Sequence, residues 1–327
     1  MPNIENLIIL IGIAFIGASV GSFINVIIYR LPKMMNRHWL GECLVFLRDY
    51  LEEIIQNKNN DSNIPKKDVE TNANQQDLTN TNYQEITQLI NKIEDNFLED
   101  TQKPFNLITP RSHCPNCGEK IPFYRNIPIV TWLALKGKAL CCSQPISIRY
   151  FIIELLAAGL AILGISIFGF NLEGLLAVGF LLTLLALAAI DYQTRLLPDI
   201  ITIPLIWIGL IVSYYNIFTN IETAVVGAIC GYLFLWLLYH GHRIITKRDG
   251  MGYGDFKLTA AFGAWFGFKA IPIILFLAAL IGLFFALTSS RLRNNPRSEI
   301  LAFGPALCIS AAIYLFFGEQ IIYWLKF

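Results

Sequence analysis

A chain of 327 residues that is 55% hydrophobic and only 15% charged is too apolar for an ordinary soluble domain. Its net charge of +1 provides no bulk electrostatic attraction for polyanions, so no nucleic-acid partner is expected. The apolar residues gather in blocks close to the roughly 20 residues that cross a bilayer as helix. The chain therefore reads as an all-α, polytopic membrane bundle of about eight transmembrane helices with a small cytoplasmic insertion.

The first block, 5–28, has the position of a secretory signal but not its chemistry. Met1 to Asn6 holds only Glu5, with no basic residue, and the block runs into Arg30 rather than a small-residue cleavage site. It is expected to be a retained membrane helix. The next stretch, 33–113, breaks the membrane pattern. Leu40, Leu44, Leu47, Leu51 and Ile54 recur at helical spacing, as do Ile86, Leu89, Ile93 and Phe97, so two amphipathic helices are predicted. Between them Asn57 to Asn82 has too little apolar surface to offset its ordering entropy and reads as a flexible linker. Seven further apolar blocks follow, at 149–169, 174–190, 200–217, 222–240, 255–268, 271–289 and 301–324. The resulting domains are 1–29, the first transmembrane helix; 30–148, a cytoplasmic domain with linker and cysteine cluster; and 149–327, the membrane core.

Charge orients the bundle. Arg195 lies in the 191–199 connection, Arg243, Lys247 and Arg248 in 241–250, and Arg291, Arg293 and Arg297 in 290–297. The alternate connections carry only Lys269. By the positive-inside rule the basic connections are cytoplasmic and the N-terminus lies outside.

Of the seven cysteines, Cys43, Cys230 and Cys308 sit in apolar patterns and read as inert packing residues. The other four, Cys114, Cys117, Cys141 and Cys142, cluster in the cytoplasmic segment. Disulfides are disfavoured in a reducing compartment. A C-x-x-C turn followed by further thiolates suits a tetrahedral, structural zinc ion, with Gly118 supplying a left-handed turn. The second pair is adjacent rather than C-x-x-C, and Ala139 stands where that spacing would put a thiol. The ligand set from this half is Cys141, Cys142 or both, or one of them with His113.

Two carboxylates stand at the edges of apolar blocks, Asp191 where one block ends and Asp255 where another begins. An aspartate at bilayer depth costs roughly 2.5–3.5 kcal/mol, so such residues face partners, water or substrate. Both edges are cytoplasmic, so the pair can meet at one depth. Two carboxyls sharing a proton across a water can hydrolyse a peptide bond. The helix dipoles predict Asp191 as the protonated partner and Asp255 as the base. Gly250, Gly252 and Gly254 would let a substrate backbone approach. Asp255 could instead simply cap a helix. Asp199 and Asp249 are alternative members of the pair, and Lys257 either reaches the interface or pairs with Asp255.

In order along the chain stand Gly17-Ala-Ser-Val-Gly-Ser-Phe-Ile-Asn-Val-Ile-Ile-Tyr-Arg-Leu-Pro32, Arg111-Ser-His-Cys-Pro-Asn-Cys-Gly118, Asn126-Ile-Pro128, Pro145-Ile-Ser-Ile-Arg-Tyr150 with Glu154, Asp191 to Asp199, and Gly252-Tyr-Gly-Asp-Phe-Lys257. With these motifs the chain resembles the bacterial type IV prepilin peptidases, membrane aspartyl proteases of the GxGD type. The resemblance implies that Asp191 and Asp255 are catalytic. It implies cleavage of the basic leader of prepilins and pseudopilins after glycine at the cytoplasmic face of the inner membrane. N-methylation of the new terminus from S-adenosylmethionine is implied as well, and no residues of this sequence are assigned to the methyl donor. The family's second C-x-x-C is here the adjacent pair Cys141-Cys142. Two other classes fit the same residues: a proton-coupled transporter using the carboxylates as a relay, and a non-catalytic, zinc-bearing membrane assembly protein.

Overall fold

The computed structural model describes residues 4–62, 86–95, 97, 104–114, 116–122, 128–247, 251–292 and 302–325. Outside them lie most of the Asn57–Asn82 linker, Asn126 and Ile127, Arg248, Asp249 and Gly250, and Arg293 and Arg297. The chain forms two compact units, Met1–Ile28 with His113–Phe327, and Tyr29–Ser112.

The helices are α1 (Ile4–Ser62), α2 (86–95), α3 (Val130–Ala134), α4 (Ile148–Phe168), α5 (Leu172–Thr194), α6 (Asp199–Tyr214), α7 (Ile221–Thr246), α8 (Tyr253–Phe266), α9 (Ala270–Leu292) and α10 (Gly304–Leu325). Among the described residues there is no strand, only isolated antiparallel bridges at His113–Lys120 and Lys138–Pro145. The first membrane block and the first amphipathic stretch, expected as separate helices, are one helix that continues through Pro32. It extends to Ser62, so the opening residues of the expected linker are helical.

Among the described residues, six helices are long and apolar enough to cross a membrane: α1, α4, α5, α7, α9 and α10. The blocks expected at 200–217 and 255–268 are helices too, but shorter: α6 has 16 residues and α8 has 14. At 1.5 Å per residue, α8 is about 21 Å long, less than the ~30 Å hydrocarbon core. Gly267, with φ 79, ends it.

Helix α8 is wedged among its neighbours, and small residues let it in. A Cβ at Gly263 would fall on the Gly227 carbonyl of α7. One at Gly231 would stand 2.8 Å from the Thr259 carbonyl oxygen. Close backbone approach through small residues is how membrane helices gain packing where water supplies no hydrophobic drive. On the α6 side a Cβ at Gly209 would stand 2.5 Å from Trp265 Cδ1. The indole Nε1 of Trp265 donates to the Leu205 carbonyl at 2.9 Å, and Ser213 Oγ donates to the Ala264 carbonyl at 2.8 Å. Phe180 of α5 packs on Trp265 with ring centroids 4.5 Å apart. In the same unit α1 meets α4 through Gly17 and Gly21, whose absent side chains leave room for Ala161 and Ala157.

In the second unit, buried Arg30 donates to the carbonyls of Asn106 and Pro110. Arg37 lies 4.8 Å from the Phe105 ring centroid. Arg48 pairs with Glu94 at 3.1 Å, linking α1 to α2.

The wedge yields a stability prediction. Gly263→Ala should destabilise the bundle by about 1–3 kcal/mol, as overpacking does, and lower its thermal midpoint in detergent. Gly159→Ala, where no atom lies within 4 Å, should leave the midpoint unchanged.

Candidate active site and cysteine cluster

Asp191 lies in the last turn of α5. Its carbonyl accepts from Arg195 N at 2.8 Å, and Arg195, with φ 56, ends the helix in a left-handed turn. Asp255 is the third residue of α8, behind Gly252 at the N-cap. The two side chains are 6% and 7% exposed, almost wholly inside an otherwise apolar interior. Each lies within range of the other's charge, and the Cys308 thiol of α10 lies within range of both. The Arg195 guanidinium also acts on Asp191.

Each carboxylate has a glycine N–H as donor. Gly304 N, at the start of α10, donates to Asp191 Oδ2 at 3.0 Å, and Gly252 N–H donates to the Asp255 carboxylate. Asp191, expected to feel only the negative end of its own helix, thus also faces the positive end of α10. That contact works against the dipole argument for placing the proton on Asp191.

Of the glycines expected to admit a substrate backbone, Gly254 serves packing, whereas a Cβ at Gly252 would meet only Asp255 Oδ2, at 3.9 Å. A Cβ at Gly254 would stand 2.7 Å from Leu197 Cβ, in the connection between α5 and α6. The space expected for a substrate backbone is there filled by Leu197, and Gly254 lets the α5–α6 connection close against α8. Lys257 does not pair with Asp255: its Nζ lies 2.6 Å from Asp199 Oδ2. Asp199 is the first residue of α6, after Pro198 at the N-cap, and is committed to that ion pair. Cys308 is buried as expected, but beside the carboxylates. Cys43 and Cys230 are exposed rather than packed within the chain.

Gly304 does not stand out in the sequence. A Gly-Pro pair opening an apolar block is a helix-start signal, but nothing local shows that a distant aspartate sits over that glycine. Glu154 entered only as part of a motif. In the structure it is 8% exposed and its Oε2 accepts from Ile129 N at 2.8 Å. Ile129 has φ 61, which a β-branched residue rarely adopts, so the buried carboxylate holds a strained turn against α4. Ser22 is a further partner of Glu154, and Asn25 Nδ2 donates to the Tyr150 carbonyl at 3.1 Å. Trp132 stacks on Phe151 with centroids 4.8 Å apart.

The four cysteines come together. All four sulfurs lie within 4.8 Å of one another, with Cys117–Cys141 at 3.2 Å, Cys114–Cys142 at 3.7 Å and Cys141–Cys142 at 3.9 Å. Sulfurs bound at ~2.3 Å around a tetrahedral ion stand about 3.8 Å apart, so this set can hold a metal. The first turn is closed by Gly118 N donating to the Cys114 carbonyl at 2.9 Å, with Gly118 at φ 74. The second is closed by Ser143 N donating to the Ala139 carbonyl at 2.8 Å, with Ser143 at φ 58. That tight turn brings both members of the adjacent pair to the cluster. His113 forms a backbone bridge to Lys120. The backbone N–H groups of Cys117, and then Asn116, lower the Cys114 thiol to about 6. The hydrogen bond with Cys117, and then burial, pushes Cys141 up to about 12. Without a cation the sulfurs share protons, and a cation can take the protons' place.

Six apolar helices, a buried carboxylate pair and a four-thiol cluster on an inserted segment mark a multi-pass membrane protein. Comparison with known proteins gives the family. The bacterial peptidase A24 N-terminal domain matches residues 15–168, and the type IV leader peptidase family matches residues 177–287. The chain is similar to proteins named prepilin leader peptidase/N-methyltransferase. The one from Dichelobacter nodosus is 38% identical over 95% of this chain and 93% of its own length. Those from Aeromonas hydrophila and Pseudomonas aeruginosa are each 36% identical, over 93% and 94% of this chain and 89% of their own lengths. No solved structure matches. The chain belongs to the type IV leader peptidase family.

The Gly254–Leu197 contact is open to a direct test. Gly254→Ala should cost about 1–3 kcal/mol, and Leu197→Ala in the same chain should recover part of it. Thermal unfolding of the single and double variants measures the coupling.

Proposed function

We propose that this protein is a prepilin leader peptidase that also methylates the terminus it exposes. The observation that carries the reading is the pair Asp191 and Asp255, buried together in a chain of this family. One carboxylate accepts a proton from water while the other donates a hydrogen bond to the scissile carbonyl. Water attacks, a tetrahedral intermediate forms, and the amine leaves with a proton from the pair. Gly304 and Gly252 keep the carboxylates oriented through these proton transfers. An apolar site strengthens such interactions because little water screens them.

The substrate is a prepilin, and by the same chemistry a pseudopilin, whose apolar helix lies in lipid against the bundle. Its basic leader stays on the side of the bundle where Arg195, Arg243 and Lys247 lie, because the membrane retains positively charged flanks of substrate and enzyme on the same face. By the positive-inside rule that end is cytoplasmic, in the inner membrane of a bacterium.

Zinc is the ion we assign to Cys114, Cys117, Cys141 and Cys142. Four thiolates in tetrahedral reach suit it and leave no open coordination position, so its role is structural. Methyl transfer needs a free amine and an activated methyl group, which S-adenosylmethionine supplies when bound. Domain roles follow: 1–29 and 149–327 carry the membrane peptidase, and 30–148 carries the metal site.

Three outcomes test this. Asp191→Asn and Asp255→Asn should each abolish leader cleavage at normal protein level, read by gel shift of prepilin in membranes. Cleavage at the parental rate by either variant would contradict the dyad. Mass spectrometry of the purified protein should find one zinc per chain, lost in Cys114→Ser and Cys117→Ser. Product termini should gain a methyl mass only when S-adenosylmethionine is present.

A further inference from the structure

Gly304 is the point at which the last helix touches the site. Its N–H donates to Asp191 Oδ2 at 3.0 Å, across 113 positions of sequence. A Cβ there would stand 2.5 Å from Asp191 Oδ2, 2.9 Å from Cγ and 3.3 Å from Cβ. Real Cβ atoms essentially never come within 3.0 Å of such neighbours, and the neighbour here is a short side chain buried at 6% exposure. The backbone of Gly304 therefore lies flat against the carboxylate, and only glycine permits that approach.

We infer that Gly304 is a positioning residue for Asp191: its N–H fixes Oδ2 and leaves Oδ1 as the oxygen available to water and substrate. This rests on Asp191 being one of the catalytic pair. The two oxygens of a free aspartate interchange by rotation about the Cβ–Cγ bond, and a donor on one of them halves that freedom. The donor comes from α10, a helix that packs on both α5 and α9, so the orientation of Asp191 depends on where α10 begins. Alanine at 304 keeps the N–H but drives the carboxylate off it. A misplacement of about 1 Å at a reacting group can cost about 100-fold in rate.

The experiment compares the full-length protein, Gly304→Ala, Asp191→Ala, the double variant, and Gly179→Ala, a control on α5 with nothing within 4 Å. Leader cleavage is measured as kcat and KM, folding as the thermal midpoint in detergent. Gly304→Ala should lower kcat by about 100-fold with KM within about twofold, while methyl transfer to a pre-cleaved peptide persists. Gly304→Ala should also lower the thermal midpoint in the parental chain but not in Asp191→Ala, where the clash is gone. Gly179→Ala should match the parent. A parental kcat in Gly304→Ala, or an equal fall of the midpoint in both backgrounds, would overturn the inference. If Gly304→Ala fails to accumulate, recovery of the double variant supports the contact, and failure of both contradicts it. Cleavage by Asp191→Ala at the parental rate would refute the dyad, while the thermal cycle still decides the contact.

Discussion

Two carboxyl groups held almost dry inside one apolar bundle are the constraint around which this molecule is arranged. Each alone would be costly there, and together they repel when both ionised. Packing on several sides holds the helix that carries Asp255 in place. Helix α8 lies in backbone contact with α7 at Gly227 and Gly263, and is hydrogen-bonded to α6 through Trp265 and Ser213. Its first turn is closed against the α5–α6 connection at Gly254 and Leu197. A helix too short to span the membrane can be placed this accurately because its neighbours cover it. Ten of its fourteen residues are buried.

The cysteine cluster obeys a different logic. It stands on turns with little regular structure, and its shape comes from two tight loops that aim four sulfurs at one point. The segment between those loops meets the membrane helix α4 by specific contacts: Glu154 holds the strained turn at Ile129, and Trp132 stacks on Phe151. The same junction of α1 and α4 carries the hydrogen bond from Asn25 to the Tyr150 carbonyl.

The all-helical membrane character was legible in the sequence because apolar blocks of bilayer length have few alternatives. The two aspartates stood out for the same reason: an acid at the edge of such a block is conspicuous. What the sequence could not reveal depends on which residues meet. Gly254 seemed to open space for a substrate, but only the fold shows Leu197 filling it. Lys257 could not be assigned to Asp199 rather than Asp255 without knowing where α6 begins relative to α8. Continuity of α1 through Pro32 was hidden because a proline usually ends a helix. Gly304, the donor to Asp191, comes from over a hundred residues away and has no local signature.

Whether the two acids work as one proton-sharing unit is read from the pH dependence of kcat/KM for leader cleavage. A pair that must hold a single proton is inactive when both groups are protonated and when both are ionised. The expected result is a bell-shaped curve whose two limbs belong to the pair jointly. A rate that titrates with one limb only, or stays flat across the range where the protein remains folded, would contradict it.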